Sequence, residues 1–298
     1  MPEPTPVIIE AAINGATPKS RNPHSPRSVE EIVADALACF EAGAAIVHNH
    51  NDEPVVGGTS GVHSAEPYIA AWRGILARRP DALLYPTMAS GGAYTTVEER
   101  YAHIPALAAA GVMRLGLVDP GSVNIAPNDR EALPLAVDSI YVNTTRDARY
   151  MFDKCSELRL GPSISCFEPG FVRVALRYHA AGRLPEGSLI KFYFGGPNSN
   201  FGLPATKPAL EAYLDMIAGT GLPWLVAVLG GDCVKSGMAQ LAIDRGGHVR
   251  VGLEDYAGPG TPTNAELVAG LVALCGELGR PVATPDEAAA ILGLPRGR

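Results

Sequence analysis

The sequence predicts a (β/α)8 barrel that forms a single domain over residues 1–298. Eight short apolar runs recur along the chain, and segments of helical length with an amphipathic pattern follow most of them. Most of the eight runs lack the alternation between apolar and polar residues of a half-exposed strand, and their length fits parallel strands buried on both faces. Eight such units within 298 residues match the size of a barrel, and a doubly wound open sheet is the alternative.

The expected strands share this apolar, largely β-branched composition, and they comprise residues 7–13, 44–48, 83–88, 112–118, 163–167, 189–194, 224–229 and 248–253. The glycine fingerprint of dinucleotide-binding sheets is absent, because the first run ends in Asn14-Gly15-Ala16-Thr17, and the chain has no Walker A motif. These absences favour the barrel over the open sheet.

The expected helices are residues 28–42, 64–78, 96–110, 145–160, 171–181, 207–219, 233–243, 263–278 and 284–292. Four of them begin with a Ser or Thr followed three residues later by Glu, which is a capping box, at residues 28, 96, 263 and 284. Gly43 and Gly111 are placed to end two helices in the left-handed conformation. Residues 119–143 are too long for a simple strand-to-helix turn, and we expect an extended loop there.

Composition excludes several classes of partner. The net charge is −7 and the basic residues are not clustered, so the chain offers no surface for nucleic acid. No stretch approaches the ~20 apolar residues of a membrane span, and the N-terminus lacks a signal pattern. The five cysteines show no CxxC spacing, which predicts reduced packing residues in a cytoplasmic protein.

The strongest candidate site is His48-Asn49-His50 at the end of the second strand. Alternate residues of a strand point to the same side, so the two imidazoles can share one divalent metal at the barrel mouth. Glu254, at the end of the eighth strand, is the best third ligand. Two histidines and a carboxylate leave coordination positions open for substrate, as in catalytic Zn2+ or Fe2+ sites. The alternative is that the two histidines only form hydrogen bonds with backbone groups.

Arg250 and Asp255 flank the predicted ligand Glu254. If Glu254 binds metal, Asp255 is free to act as a general base, and Arg250 can keep it ionised and oriented. A salt-bridged loop without a catalytic role is the alternative. His248 shares the face of Arg250 and could compete as a ligand.

Further polar or glycine residues at strand ends are candidates for binding substrate. They are Asn14 after the first strand, Ser90-Gly91-Gly92 after the third, and Ser122 and Asn124 after the fourth. The glycines would let backbone N–H groups approach a substrate carboxylate or carbonyl.

Together these motifs resemble the β-keto acid cleavage enzyme family. The matching segments are residues 11–16, 38–44, 48–50, 90–92, 246–255 and 278–285. The combination of His-x-His with Arg-x-Gly-x-Glu-Asp at residues 250–255 is far more specific than either motif alone.

The resemblance implies a barrel with one Zn2+ per subunit, assembled as a homotetramer. It implies a reaction in which a β-keto acid condenses with acetyl-CoA to give acetoacetate and a new acyl-CoA. Carried over to this chain, His48, His50 and Glu254 would hold the metal, Asp255 would be the base, and Arg250 would orient it.

The chain departs from the family pattern at Thr17, Ala89, Ser163 and Ser165. The resemblance places acidic residues at the position of Thr17 and on the fifth strand, where this chain has serines. We expect these positions to face the variable tail of the substrate. Their lost carboxylates argue for a neutral or anionic tail.

Two other functions remain open on the sequence. One is a metal-dependent aldolase or lyase that cleaves on the same barrel without CoA. The other is a metal-stabilised binding or sensor protein without turnover.

Overall fold

A computed structural model of the protein describes residues 4–51, 63–89, 95–126, 128–137, 140–197 and 199–295. The strands are β1 (Ile9–Ala12), β2 (Ile46–Asn49), β3 (Leu83–Pro86), β4 (Leu115–Val118), β5 (Gly161–Cys166), β6 (Leu189–Gly195), β7 (Leu203–Pro204), β8 (Trp224–Leu229) and β9 (His248–Val251). The helices are α1 (Val29–Ala42), α2 (Glu66–Leu76), α3 (Val97–Arg100), α4 (His103–Ala109), α5 (Thr145–Leu158), α6 (Pro169–Ala180), α7 (Lys207–Ile217), α8 (Met238–Asp244), α9 (Asn264–Glu277) and α10 (Pro285–Leu292).

The strands form a parallel barrel, which confirms the predicted fold. The order of hydrogen-bonded neighbours is β3-β2-β1-β9-β8-β6-β5-β4, and the two-residue β7 pairs with β6. The first and last strands are neighbours in the barrel, since β1 pairs with β2 on one side and with β9 on the other. At the other side, β3 and β4 lie against each other. All eight main strands therefore direct their carboxyl ends to one mouth, where barrel enzymes carry their sites.

The apolar runs form these strands because they can be buried on both faces. Every residue of β1 to β5 and β9 is buried, as are all but the last residue of β6 and β8. The helices cover the outside of the barrel. This confirms the interpretation of the runs as strands of a parallel sheet rather than half-exposed ones.

The predicted helix signals are confirmed at several ends. Capping boxes are present at Ser28, Thr96, Thr263 and Thr284, each with its side chain accepting from the backbone three residues on. Gly43 ends α1 in the left-handed conformation, with φ of 115°, and leads directly into β2.

The helix expected over residues 96–110 is instead two short helices, α3 and α4. Pro105 lacks an N–H, so it cannot donate to the Tyr101 carbonyl four residues earlier. That carbonyl accepts from the N–H of Ile104 at 3.0 Å, which forms a tighter turn between the helices. The helix expected over 233–243 begins later than predicted, at Met238, because a turn at Asp232 holds the preceding residues.

Between β4 and α5 the chain makes a long excursion over the barrel mouth. Antiparallel bridges join Val123 to Tyr141 and Asn128 to Pro134 within it. All five cysteines are buried free thiols, as the packing interpretation expects. None of the helices in the described part of the chain combines the length and apolar character needed to cross a bilayer.

Candidate active site

His48, His50 and Glu254 meet at the barrel mouth. His48 Nε2 lies 3.2 Å from Glu254 Oε2, and His50 Nε2 lies 3.5 Å from Glu254 Oε1. One potential ligand atom from each residue can be chosen so that all lie within 4.8 Å of one another. The histidines come from the end of β2, and Glu254 from the turn after β9. The two strands lie on either side of β1, so barrel pairing brings these distant residues together.

A backbone carbonyl orients the imidazole of His48, and the Asn14 side chain holds the backbone of His50. His48 Nδ1 lies 3.3 Å from the carbonyl of Tyr85, so a proton on Nδ1 leaves the Nε2 lone pair directed at Glu254. Burial lowers the pKa of His48 to about 4, against the attraction of Glu254, and keeps the ring neutral at pH 7. The N–H of His50 donates to Asn14 Oδ1 at 2.8 Å, and the carbonyl of His50 accepts from Asn14 Nδ2 at 2.8 Å.

The donor set fits a divalent cation. His50 Nε2 and Glu254 Oε2 are buried, and neither makes a hydrogen bond with any residue that the structure describes. Such orphaned lone pairs are costly unless a further group engages them. Two imidazole nitrogens and a carboxylate are also the ligand types of catalytic Zn2+ sites.

Arg250 is buried beneath this cluster and holds Asp255 with two hydrogen bonds. Its Nε donates to Oδ2 of Asp255 at 2.7 Å and its Nη2 to Oδ1 at 3.0 Å. Nη2 also lies 2.8 Å from Glu254 Oε1. Burial raises the pKa of Asp255 even though Arg250 opposes the shift. For Glu254, the charge of Arg250 is the largest of the effects that outweigh burial, and the pKa lies well below its ordinary value.

Sequence reasoning missed a second buried charge cluster that lies inside the barrel. Lys191 Nζ on β6 is 3.0 Å from Glu10 Oε1 on β1, and Arg250 Nη1 is 3.1 Å from the same oxygen. The Tyr85 hydroxyl donates to Glu10 as well. Burial would raise the pKa of Glu10, but Lys191 and Arg250 lower it to about 2, so Glu10 is ionised. Its carboxylate therefore balances the two cations from below the site.

A cavity of about 550 Å3 opens above these groups. Its lining includes the three candidate metal ligands together with Asp255, Lys191 and Arg250. The apolar lining groups include Phe167, Tyr193 and Phe201. Asp119 also lines it and accepts hydrogen bonds from Tyr141 at 2.5 Å and from Ser165. Burial raises the pKa of Asp119. Asp119 and its two hydrogen-bond donors thus form a second polar region of the cavity, besides the candidate metal centre.

The predicted substrate-binding residues lie in different surroundings. Asn14 is buried and bonded to backbone groups of Gly15, Pro26 and His50, so it braces the His50 loop. Ser122 exchanges hydrogen bonds with the backbone of Asn143, and Asn124 is exposed. Ser90, Gly91 and Gly92 lie outside the described residues. The substrate-binding roles stay predictions.

The four positions where the chain departs from the family pattern also differ in their location. Thr17 and Ser165 line the cavity, and Thr17 donates to the Leu253 carbonyl at 2.6 Å. Ala89 and Ser163 are buried. His248 lies away from the candidate ligands, at the other end of the strands. There its Nδ1 accepts a hydrogen bond from the N–H of Ile8 at 3.0 Å.

Comparisons with known proteins identify the family to which the chain is similar. The model of the beta-keto acid cleavage enzyme family matches residues 6–294. The chain is 34% identical over 301 residues to a 3-keto-5-aminohexanoate cleavage enzyme of Acetoanaerobium sticklandii, covering 97% of this chain and 98% of that protein. It is 30% identical over 305 residues to a 3-oxoadipate:acetyl-CoA acetyltransferase of Cupriavidus necator, covering 97% and 95% of the two chains.

The fold also resembles a solved structure, a ternary complex of ObcA with a C4-CoA adduct and oxalate. The TM-score is 0.67 at 15% sequence identity, and the match covers 93% of this chain and 68% of the other. At that identity the likeness concerns the fold alone.

Proposed function

Because the chain belongs to the beta-keto acid cleavage enzyme family, we propose that it condenses a β-keto acid with acetyl-CoA and releases acetoacetate and a new acyl-CoA. The observation that carries the proposal is the joint placement of three potential metal ligands and the Arg250–Asp255 pair at one cavity. A carboxylate base next to a cation site is what abstraction of a proton beside a carbonyl requires.

We propose that His48, His50 and Glu254 hold one Zn2+. A bound ion of this kind would supply a Lewis acid that makes the proton at C2 of the β-keto acid more acidic. The orphaned His50 Nε2 and Glu254 Oε2 support this assignment. So does the local charge, because Glu10, Glu254 and Asp255 outnumber the two buried cations Lys191 and Arg250.

Asp255 then acts as the general base. It takes the C2 proton, and the resulting carbanion attacks the thioester carbonyl of acetyl-CoA, which expels the CoA thiolate. Arg250 fixes both oxygens of Asp255 through its two hydrogen bonds, so the base stays in place as its charge changes.

The released thiolate completes the exchange. It attacks the 3-keto carbon of the adduct, the bond between C2 and C3 breaks, and the former substrate acyl group leaves as acyl-CoA. Protonated Asp255 returns its proton to C2 of the departing acetoacetate. No electron or proton is lost, and the base is regenerated.

The substrate tail lies towards Asp119 in this proposal. A buried carboxylate in that region disfavours an anionic tail, because two like charges would be forced together at low dielectric. We therefore propose a neutral tail that donates a hydrogen bond to Asp119, which departs from the anionic alternative of the sequence expectation.

We further propose a homotetramer in the cytoplasm. Ile125, Leu133, Leu135, Val137, Ile140 and Val142 are exposed large apolar side chains within the excursion between β4 and α5. A cluster of this kind typically marks a protein interface. The free, buried cysteines are typical of a reducing compartment. Light scattering on the purified protein would measure the assembly, and Leu133→Glu with Ile140→Glu should dissociate it.

The test of the proposed function is an activity panel with and without acetyl-CoA. Purified protein is mixed with β-keto acids of different tails, and products are identified by mass spectrometry. We expect acyl-CoA formation that requires both substrates. Equal cleavage without acetyl-CoA would support the aldolase alternative instead, and metal binding without turnover would support a binding or sensor protein.

A further inference from the structure

Three polar side chains form a row across neighbouring strands on the wall of the cavity. Asp119 directly follows β4, Ser165 lies on β5 and Lys191 lies on β6, and all three line the cavity. The register places them at one level, because Ser165 pairs with Lys191 and the last residue of β4 pairs with Ile164. Neighbouring strands are about 4.8 Å apart, so roughly 10 Å separates the backbones of Asp119 and Lys191.

Lys191 has one N–H that is left for a ligand. Glu10 Oε1 accepts one of its N–H groups at 3.0 Å, and the Tyr85 hydroxyl accepts a second. An ammonium carries three such donors, and no hydrogen bond joins the third to any residue that the structure describes. The side chain is only 1% exposed, so bulk water does not satisfy this donor. A buried donor without a partner is costly unless a ligand engages it.

Aromatic rings fix the position of this ammonium. Lys191 Nζ lies 4.9 Å from the centre of the Tyr85 ring and 5.6 Å from that of Tyr193, within the range of cation–π attraction. Phe167 stacks on Tyr193 with the ring centres 4.4 Å apart, which holds the second ring in place. Because Lys191 also lines the cavity, its remaining N–H is a rigid donor there.

Asp119 provides the complementary acceptor. Tyr141 and Ser165 donate hydrogen bonds to its carboxylate, and a carboxylate offers about four acceptor positions, so others remain for a ligand. Burial raises the pKa of Asp119, and the charge of Lys191 is among the effects that oppose the shift, so the two groups are electrostatically coupled. A donor at one end of the row and an acceptor at the other therefore face the same part of the cavity.

These two charges discriminate between substrate tails. An ammonium on the tail can donate to Asp119 but is repelled by Lys191, and a carboxylate can accept from Lys191 but is repelled by Asp119. A keto group accepts only, and an alkyl tail leaves both charges without a partner. A hydroxyl accepts one hydrogen bond and donates another, so it satisfies both groups at once.

We propose that Lys191 is a specificity-determining residue which, together with Asp119, selects β-keto acids that carry a hydroxyl group on the tail. The hydroxyl oxygen accepts the remaining N–H of Lys191, and the hydroxyl hydrogen is donated to Asp119. The inference rests on the proposed function, because that function directs the tail towards Asp119. It adds an acceptor to the tail and thereby excludes amines, which also donate to Asp119.

The test compares substrates that differ only at C5. They are 3-oxohexanoate, its 5-hydroxy derivative and its 5-amino derivative, each supplied with acetyl-CoA. In the wild type, kcat/KM for the 5-hydroxy acid should exceed that for the other two at least about tenfold, as expected for hydrogen bonds to charged groups. A wild type that prefers the unsubstituted or the amino acid would overturn the inference.

Two variants remove the ammonium. Lys191→Met should lower the ratio of kcat/KM for the 5-hydroxy acid to that for 3-oxohexanoate about tenfold. Glu10→Gln with Lys191→Met should lower it equally, while it avoids a buried Glu10 carboxylate that has lost a partner. Melting temperatures verify that the variants are folded.

Glu10→Gln alone is the matched control. The buried Glu10 is not among the described residues that line the cavity, and Gln can still accept the N–H of Lys191, so the ratio should stay at the wild-type value. Wild-type ratios in both Lys191 variants would overturn the inference. An equal loss of kcat/KM for the two acids would also overturn it, because Lys191 would then act on the reactive end that they share.

Calorimetric titration of the keto acids without acetyl-CoA keeps this test independent of turnover. The wild type should bind the 5-hydroxy acid more tightly than 3-oxohexanoate, and the Lys191 variants should lose this preference. If the pattern appears without acyl transfer, the proposed function fails while the role of Lys191 stands. Acyl transfer with a ratio independent of Lys191 would leave the proposed function intact and refute that role. Equal binding of the two acids by the wild type, or binding of neither, would refute it as well.

Discussion

Arg250 donates two hydrogen bonds to the carboxylate of Asp255, with Nε–Oδ2 at 2.7 Å and Nη2–Oδ1 at 3.0 Å. The same guanidinium contacts Glu254 and Glu10. One buried cation thus connects the candidate base, a candidate metal ligand and the charge cluster inside the barrel. In the proposed reaction, this connection keeps the base and the metal centre at a fixed separation.

Asp255→Asn should lower kcat by a factor of about 10² to 10⁴, because the amide cannot accept the C2 proton. Metal content should stay at the wild-type level, since this substitution leaves the three ligands in place. The measurements are steady-state kinetics and elemental analysis on the same preparation. Turnover within a few-fold of wild type would remove Asp255 from its role as base.

His48→Ala should remove the metal and abolish turnover, because a site with one histidine and one carboxylate binds Zn2+ weakly. His179→Ala on α6 is the matched control and should retain the metal. Elemental analysis after dialysis measures both proteins. Full metal occupancy in the His48 variant would refute the ligand set.

Lys191→Met should destabilise the protein by about 3 kcal/mol, because it leaves the buried Glu10 carboxylate with one cation fewer. The double variant Glu10→Gln with Lys191→Met should lose less stability than the two single variants added together. Denaturant unfolding at pH 7 measures the three free energies. Strict additivity would show that the pair is not coupled.

Asp119→Asn should weaken discrimination between substrate tails. The ratio of kcat/KM for the 5-hydroxy derivative of 3-oxohexanoate to that for 3-oxohexanoate itself should fall about tenfold, as expected for one hydrogen bond to a charged group. The reactive end of the two substrates is identical, so it serves as the internal control. An unchanged ratio would place the tail elsewhere in the cavity.

Stability should depend on pH through Asp35 on α1. Burial raises its pKa from 3.8 to about 7, against the hydrogen bond that Asn264 Nδ2 donates to it at 2.7 Å. A raised pKa in the folded state means that the contribution to stability is complete below pH 4 and is lost as the pH rises through 7. Asp35→Asn should therefore stabilise the protein increasingly from pH 4 to 7, by up to about 4 kcal/mol, and the difference should level off above pH 7. A pH-independent difference in unfolding free energy would contradict this.

The candidate metal ligands and the candidate base could be identified from sequence because each lies beside a recognisable strand end. His48 and His50 share a face by their spacing, and Glu254 with Asp255 closes the last strand. Glu10 and Lys191 could not be predicted, since each is a single charge inside an apolar run and they are 181 residues apart. Only barrel pairing places them together. The contact of Tyr141 with Asp119 likewise depends on the path of the long excursion, which has no periodic pattern.

Isotope tracing shows directly whether the acetyl group of acetyl-CoA enters acetoacetate, as the proposed exchange requires. Protein is incubated with a β-keto acid and acetyl-CoA that carries ¹³C in the acetyl carbonyl, and the products are analysed by NMR and mass spectrometry. We expect the label in the keto carbon of acetoacetate and an unlabelled new acyl-CoA. Unlabelled acetoacetate, or label in the new acyl-CoA, would refute the exchange.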